Sequence, residues 1–533
     1  MRRIYNIALV GHVANGKTTL VRSLTQIDTK RSSEEKKSGR TIKLGYANCV
    51  LLHCEKCNKY DSGNTYFNCS NCNGKNEITN EISFVDAPGH HSYIHTMIKG
   101  VSSVEGAIIV TDVRKDPLQI QTREHLAILS VLGVTNVFIV QNKCDLVDSE
   151  RCKIHFRELK ESLIGTIAEN SPIIPISAQS KINIDIVIKL LNEIILNVKS
   201  KELKYKSLFS ILRSFDINKP GTEIDDLKGG VIGGTFIGNG DPLKIGDNLI
   251  IKPDVRGHVL KTKIVSIFSE GKNLNQVGYG GLFALGTNLD PYLTKNDNMC
   301  GFILCRDGDE LPKPTTSMEF MVTYIKLNER DSIEKIKEKE LYKLVIGSVI
   351  CKAEAKRIEK GKYIFTFSKE ICTPEKMCLI YTYESSKSQL IAFGKTEEEV
   401  KSEIVKLNQP NYEELLTNIT QTVKINKKLQ IPSIIKENKN MIWSNISDFC
   451  KEINREQEDV SKFIREESFL QVSMCVSGLR ILKGNVLLKQ GKLESLLKKF
   501  IKEFVMCKQC LGLDTTRLFC LSCGANVRDL REF

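Results

Sequence analysis

Eight residues, Gly11-His12-Val13-Ala14-Asn15-Gly16-Lys17-Thr18, satisfy the spacing G-x-x-x-x-G-K-[ST] directly after the apolar run Ile4 to Val10. Between a strand and a helix, that spacing handles polyphosphate. The glycines let backbone N–H groups of Ala14, Asn15, Gly16, Lys17, Thr18 and Thr19 converge on phosphate oxygens, Lys17 reaches the β and γ oxygens, and the Thr18 hydroxyl is a Mg²⁺ ligand. The base is read elsewhere. In Asn142-Lys143-Cys144-Asp145, after the apolar run Val137 to Val140, the Asp145 carboxylate accepts hydrogen bonds from guanine N1–H and the exocyclic amine, a donor pair that adenine lacks. Ser177-Ala178-Gln179, behind Ile173 to Ile176, offers backbone amides for guanine O6.

Between these lies Phe84-Val85-Asp86-Ala87-Pro88-Gly89-His90. Asp86 ends a buried strand and holds the Mg²⁺ shell through water, while Gly89 offers its N–H to the γ-phosphate. Thr41 is the second Mg²⁺ ligand, on a loop that orders when the γ-phosphate is present. His90 is the candidate catalytic residue, orienting the attacking water, and the neighbouring His91 competes for that role.

Eighteen cysteines invite a disulfide framework, but eight of them form four Cys-x-x-Cys pairs in a chain of 533 residues, a pattern for reduced, metal-binding thiols in the cytosol. Cys54, Cys57, Cys69 and Cys72, with eleven polar-rich residues between the pairs, have the spacing of one tetrahedral Zn²⁺ site. Cys507, Cys510, Cys520 and Cys523, with nine residues between the pairs, have the spacing of another. The net charge of +13 suits a polyanionic partner without demanding one. No run reaches the ~18–20 apolar residues of a membrane span, and Met1-Arg2-Arg3 with its apolar run lacks a cleavage site. A cytoplasmic protein with no membrane partner is expected.

The elements that must position these groups follow from pattern. Strands before each loop and helices after them predict an α/β P-loop GTPase domain over 1–205, with a zinc knuckle inserted at 54–72. After the helical stretch Ile182 to Val198 the pattern changes to short β-branched runs broken by glycine, as in Gly229 to Gly234, expected for two β-barrels over 206–312 and 313–398. Lys395-Thr396-Glu397-Glu398-Glu399 marks a further change, to a linker and helix at 399–440, a small α+β unit at 441–503 and a zinc ribbon at 504–533.

Together, Arg40-Thr41-Ile42-Lys43-Leu44-Gly45-Tyr46-Ala47, the Asp86 to His90 motif, Gln119 to His125 and Asn142 to Asp145 resemble the gamma subunit of eukaryotic and archaeal translation initiation factor 2. The likeness continues through Ile211 to Gly221, Asp226 to Gly230 and Gly280 to Pro291, and covers most of residues 1–398. Asn15 stands where that family usually has His, and His91 is a further departure. From Tyr412-Glu413-Glu414-Leu415-Leu416 onward, with Ile481 to Gly484 and Phe504 to Cys507, the chain looks like the beta subunit of the same factor, without its lysine-rich tracts.

The motifs call for GTP and GDP with Mg²⁺ and the two cysteine sets for two Zn²⁺, while the resemblance implies GTP-dependent binding of methionyl initiator tRNA for delivery to the small ribosomal subunit. It also implies an alpha-like subunit and GTPase-activating and nucleotide-exchange factors as partners. Tyr46 and Arg213 are candidate tRNA contacts, and Lys483, Lys489, Lys492, Lys498, Lys499 and Lys502 a basic approach for RNA phosphates. The switch motifs alone also fit another tRNA-delivering GTPase, such as a selenocysteine-specific elongation factor, or a non-hydrolysing RNA-binding scaffold.

Overall fold

A computed structural model describes residues 3–29, 41, 44–63, 67–69, 71–90, 93–102, 104–197, 205–219, 221–238, 240–255, 258–269, 272–325, 335–383, 389–396, 407–422, 434–437, 440–453, 455–468, 471–475, 478–482 and 490–505. The chain divides into two compact units: the first comprises Met1–Thr29 with Thr41–Ile419, and the second includes Thr420–Phe533.

The first sheet holds β1 (Ile4–Val10), β2 (Gly45–Cys54), β3 (Lys59–Gly63), β4 (Glu77–Asp86), β5 (Gly106–Asp112), β6 (Val137–Asn142) and β7 (Ile173–Pro175) in the order β3-β2-β4-β1-β5-β6-β7. The strands from β4 to β7 in that order run parallel, and β2 and β3 form an antiparallel extension. Parallel strands need cover on both faces, so β5 and β6 are buried at every residue. Alternation sends Ile7, Leu9, Ile108 and Val110 to one face, against α1 (Lys17–Thr25) and α5 (Ile184–Asn197). Ala8, Val10, Ala107 and Ile109 go to the other, against α2 (Ile94–Val101), α3 (Ile120–Val131) and α4 (Ser149–Ser162). Asp148 caps α4 by accepting the Arg151 N–H at 2.7 Å. Because the strands are parallel, the loops after β1, β4, β5, β6 and β7 gather at one edge, where such folds bind ligands.

Two barrels follow. In the first, Asn248–Val255, Ile303–Arg306, Phe209–Phe215, Val231–Phe236, Phe283–Thr287 and His258–Ser269 pair in that order, and the last closes on the first. In the second, six strands between Thr315–Tyr324 and Leu390–Lys395 close completely. The first barrel is fastened to β1: Ile4 donates its N–H to Tyr279 O at 2.9 Å, and Asn6 Oδ1 accepts the Gly281 N–H at 3.0 Å. Glycine is required here, since Gly280 has φ +64° and a Cβ on it would stand 1.8 Å from Ile4 O. From the second barrel, Val345, Leu379, Tyr381 and Leu390 complete the core around α2 and α3.

Helix α6 (Tyr412–Thr422) packs on the first unit through its amino-terminal turns. The Gln409 amide pairs with both backbone groups of Ile173, at 2.9 and 3.0 Å. The Tyr412 hydroxyl lies 2.5 Å from Gln141 Oε1 and 3.1 Å from Cys152 O, its ring stacks on Phe156, and Asn183 Nδ2 donates to Leu415 O at 2.8 Å.

The second unit has an antiparallel sheet, Ile434–Glu437, Asn440–Trp443, Gly478–Leu482 and Gln471–Cys475 in spatial order. Helices Ile446–Glu452, Gln457–Ser468 and Gln490–Phe500 pack with it around Trp443, Phe449, Phe463, Phe500 and Phe504, the small α+β unit expected. The expected zinc ribbon, with Cys507, Cys510, Cys520 and Cys523, lies outside the described residues, as do His91, Lys483 and Lys489. Among the described residues no helix is long and apolar enough to cross a membrane.

Tyr412→Phe would leave Gln141 Oε1, on a fully buried side chain, without its hydroxyl donor. A destabilisation of about 1–3 kcal/mol is expected in urea unfolding followed by far-ultraviolet circular dichroism. An unchanged midpoint and slope would reject the contact as a stabilising one.

Candidate nucleotide and metal site

The phosphate loop is held by its carbonyls. Lys17 Nζ donates to Gly11 O at 2.8 Å and His12 O at 2.9 Å, Lys115 Nζ to Val13 O at 3.2 Å, Lys143 Nζ to Ala14 O at 2.6 Å and Asn142 Nδ2 to Asn15 O at 3.0 Å. With five successive carbonyls tied back, the loop is braced in the conformation that phosphate binding needs. Ala14 and Gly16 have φ +63° and +98°, and Asn15 Nδ2 donates to Val110 O at 2.9 Å. Burial pushes the Lys17 ammonium down to about 8, against the pull of Asp86. A phosphate is the partner that would reverse that cost. Thr19 sits half-buried at the start of α1.

The three Mg²⁺ candidates meet. Thr18 Oγ1 donates to Asp86 Oδ2 at 2.7 Å and stands 3.1 Å from Thr41 Oγ1, and Thr29 Oγ1 donates to Asp86 Oδ2 at 2.8 Å. Hydroxyl and carboxylate oxygens in one cluster fit a hard cation. Thr18 and Thr41, with Asp86 behind them, would hold Mg²⁺ there, and the ion would supply positive charge to offset that of the phosphates. Gly89 lies so close that a Cβ would fall 2.5 Å from Lys17 Nζ and 2.6 Å from Gly11 O. His90 is half-buried, its ring 6.0 Å from that of Tyr93.

At the base end, Asn142 joins two loops: its Nδ2 reaches Asn15 O, and its Oδ1 accepts the Ala178 N–H at 3.1 Å. The Ala178 amide is thereby engaged by Asn142, Ser177 Oγ accepts the Ser180 N–H at 3.2 Å, and Gln179 is exposed. Asp145 stands half-buried in the short turn Cys144–Leu146.

Two residues that motif reading missed support this edge. Asp112, with a fully buried carboxylate, binds Arg114 at 2.9–3.0 Å and Lys143 at 2.9 Å. Burial alone would raise it, but Arg114 and Lys143 outweigh that and hold it at about 2. His125 Nδ1 accepts the Gly11 N–H at 3.2 Å, and burial, Lys17 and His12 push it down to about 3, so the ring is neutral. The charged run Asp112 to Asp116 after a buried strand was the available signal for the first; His125, within a helix, had none of its own.

Tyr46 of β2 feels the charge of Arg213 on the first barrel. The Tyr46 hydroxyl is buried without a hydrogen bond among the described residues. Burial raises its phenol, while the Arg213 charge, close by, opposes that. Arg213 Nε is 3.5 Å from Asp297 Oδ1, and Lys99 Nζ donates to Cys300 Sγ at 3.1 Å.

Cys54, Cys57, Cys69 and Cys72 place their four sulfurs within 4.8 Å of one another, with Cys54–Cys72 and Cys57–Cys69 each 3.5 Å apart. A tetrahedral Zn²⁺ with bonds of about 2.3 Å spaces its sulfurs at roughly 3.8 Å, so the set fits one ion. The N–H groups of Asn71 and Cys72 lower the Cys69 thiol, favouring the thiolate a metal takes. Cys57→Ser is expected to lower bound zinc by about one ion per chain in atomic absorption; an unchanged content would reject the site.

Comparison with known proteins gives the families of the domains that carry these residues. Residues 2–200 match the family described as the elongation factor Tu GTP binding domain, and residues 418–526 match the domain found in initiation factors 2B and 5. The translation initiation factor 2 subunit gamma of Methanococcus vannielii is 41% identical over 370 residues, 66% of this chain and 90% of that one. That of Pyrococcus furiosus is 37% identical over 402 residues, 73% of this chain and 96% of that one. In fold alone, the chain is similar to a bacterial selenocysteine-specific elongation factor, with a TM-score of 0.57 and 18% identity over 95% of this chain and 88% of that one. It is likewise similar to elongation factor SelB from Methanococcus maripaludis with the GTP analogue GPPNHP, with a TM-score of 0.54 and 18% identity over 91% and 96%. Identity of 41% sustained over nine-tenths of a relative, on a GTP-binding domain followed by two barrels, shows that this chain belongs to the gamma-subunit family of translation initiation factor 2, the translational GTPases of initiation, and carries in addition a carboxy-terminal domain of the type found in initiation factors 2B and 5.

Proposed function

We infer that this chain, in its GTP-bound form, binds methionyl initiator tRNA and delivers it to the small ribosomal subunit, letting go after hydrolysis. The observation that carries the reading is the junction of Thr41 and Tyr46. Thr41 meets Thr18, which itself donates to Asp86, in the Mg²⁺ cluster, and five residues on Tyr46 feels the charge of Arg213 on the first barrel. A loop bound to nucleotide at one end and facing a second domain at the other couples γ-phosphate to whatever fills that junction.

In this reading Ala14, Asn15, Gly16, Lys17, Thr18 and Thr19 hold the phosphates. Asn142, Lys143, Asp145, Ser177, Ala178 and Gln179 hold guanine. Thr18 and Thr41 bind Mg²⁺ with Asp86 behind them, Gly89 senses the γ-phosphate, and His90 orients the water. A second Zn²⁺ belongs to Cys507, Cys510, Cys520 and Cys523. The domain bounds of the sequence reading, cytoplasmic location, an alpha-like subunit and activating and exchange factors go with it. As a single polypeptide, its gamma-like and beta-like parts stay at a high effective concentration and do not diffuse apart.

The test is binding of methionylated initiator tRNA with a non-hydrolysable GTP analogue and with GDP, with elongator methionyl tRNA as control. Tighter initiator binding in the analogue state is expected, and Arg213→Ala should weaken it on the order of tenfold. Equal binding in both states would reject the switch and favour an RNA-binding scaffold.

A further inference from the structure

Lys115 is a cation whose position the nucleotide motifs do not account for. It follows β5 in a turn closed by its own N–H to Asp112 O at 3.0 Å, and Arg151 Nη2 donates to its carbonyl at 3.4 Å. The Asp112 carboxylate is taken by Arg114 and Lys143. Among the described residues no carboxylate lies within 4.0 Å of Lys115 Nζ, and its one hydrogen-bond acceptor is Val13 O of the phosphate loop, at 3.2 Å. The side chain is half-buried, and burial lowers its ammonium against the opposing pull of Asp112. Its charge acts on both Lys17 and His12. A buried lysine and a second, half-buried one beside the same loop repel each other, and an anion between them converts that cost into binding.

The neighbours say which end of the anion. A Cβ on Gly89, at the head of the water-orienting segment, would fall 2.5 Å from Lys17 Nζ and 3.0 Å from His12 C, and Val13, whose carbonyl Lys115 holds, is the next residue. Lys115 therefore meets the loop beside the residue that the water-orienting segment touches.

Resting on the nucleotide-site reading above, we propose that Lys115 is a second phosphate-binding lysine, contributed in cis, that donates to the γ-phosphate end of GTP and stabilises the charge formed in hydrolysis. In that step the bond from the γ-phosphorus to the β–γ bridging oxygen breaks, its electron pair stays on GDP, and the water oxygen bonds to phosphorus. The water proton leaves with inorganic phosphate. A fixed ammonium at that position acts on charge spread over the transferring group, where positioned cations do most in such reactions.

The experiment uses the full chain with Mg²⁺ and compares wild type, Lys115→Met and Lys115→Arg. Affinity for a fluorescent non-hydrolysable GTP analogue, affinity for fluorescent GDP, and single-turnover GTP hydrolysis are measured. Lys115→Met should weaken the analogue about tenfold, leave GDP within about twofold, and slow hydrolysis at least tenfold, with Lys115→Arg restoring the preference for analogue. Equal weakening of analogue and GDP would make Lys115 only a brace for Val13, and unchanged analogue binding would overturn the proposal outright. Wild-type protein that binds neither nucleotide would overturn the nucleotide-site reading itself.

Discussion

Five carbonyl oxygens in a row, from Gly11 to Asn15, each accept a side-chain N–H, and the first unit depends on that arrangement. A loop of this length has more backbone groups than it can satisfy internally, and buried ones must be paired. Lys17 comes from the loop's own helix, Lys115 from the end of β5, and Lys143 and Asn142 from the end of β6. Three neighbouring strand ends are therefore needed before the loop has its shape. Parallel pairing of β1, β5 and β6 delivers them, because it brings the carboxyl ends of all three to one edge.

The same constraint explains what could be read from sequence alone. The phosphate loop, Asn142 to Asp145 and the paired cysteines are local spacings, and local spacing is what a sequence displays. Two barrels were legible from glycine-broken β-branched runs, though the closure of the first was not, since it pairs Ile303–Arg306 with Phe209–Phe215 and Asn248–Val255, both far earlier in the chain. The contacts that brace the site are long-range: His125 reaches Gly11 across 114 residues, and Lys115 reaches Val13 across 102. The segment Gln119 to His125 marks a family likeness, but nothing in it says that His125 reaches the phosphate loop rather than the core. Asp112 differs, because a carboxylate at the end of a wholly buried strand demands partners, and the following Arg114 named one of them.

Attachment of the first barrel uses the opposite end of β1. Ile4 and Asn6 spend backbone and amide groups on Tyr279, Gly281 and Thr235, while Val10 leads into the phosphate loop. One strand of seven residues thus carries the nucleotide at its carboxyl end and the barrel at its amino end. Close backbone packing makes that joint stiff: Gly280 admits no side chain against Ile4 O. β2 in turn carries Tyr46, which feels the Arg213 charge of the same barrel.

Gln141 and Asn142 show how helix α6 shares this framework. Neighbouring residues of a strand face opposite sides, so two consecutive buried amides at the end of β6 fasten different elements. Asn142 holds the phosphate loop and the Ala178 amide, while Gln141 holds Cys152 O of α4 and the Tyr412 hydroxyl. Both side chains are almost wholly buried, which makes each hydrogen bond expensive to leave unmade. A surface on which an ordinary helix merely rested would not need Gln141 at that position; an apolar residue would cover the sheet as well. An amide that satisfies α4 and α6 together specifies where the helix sits, and it does so one residue from the group that specifies the nucleotide loop.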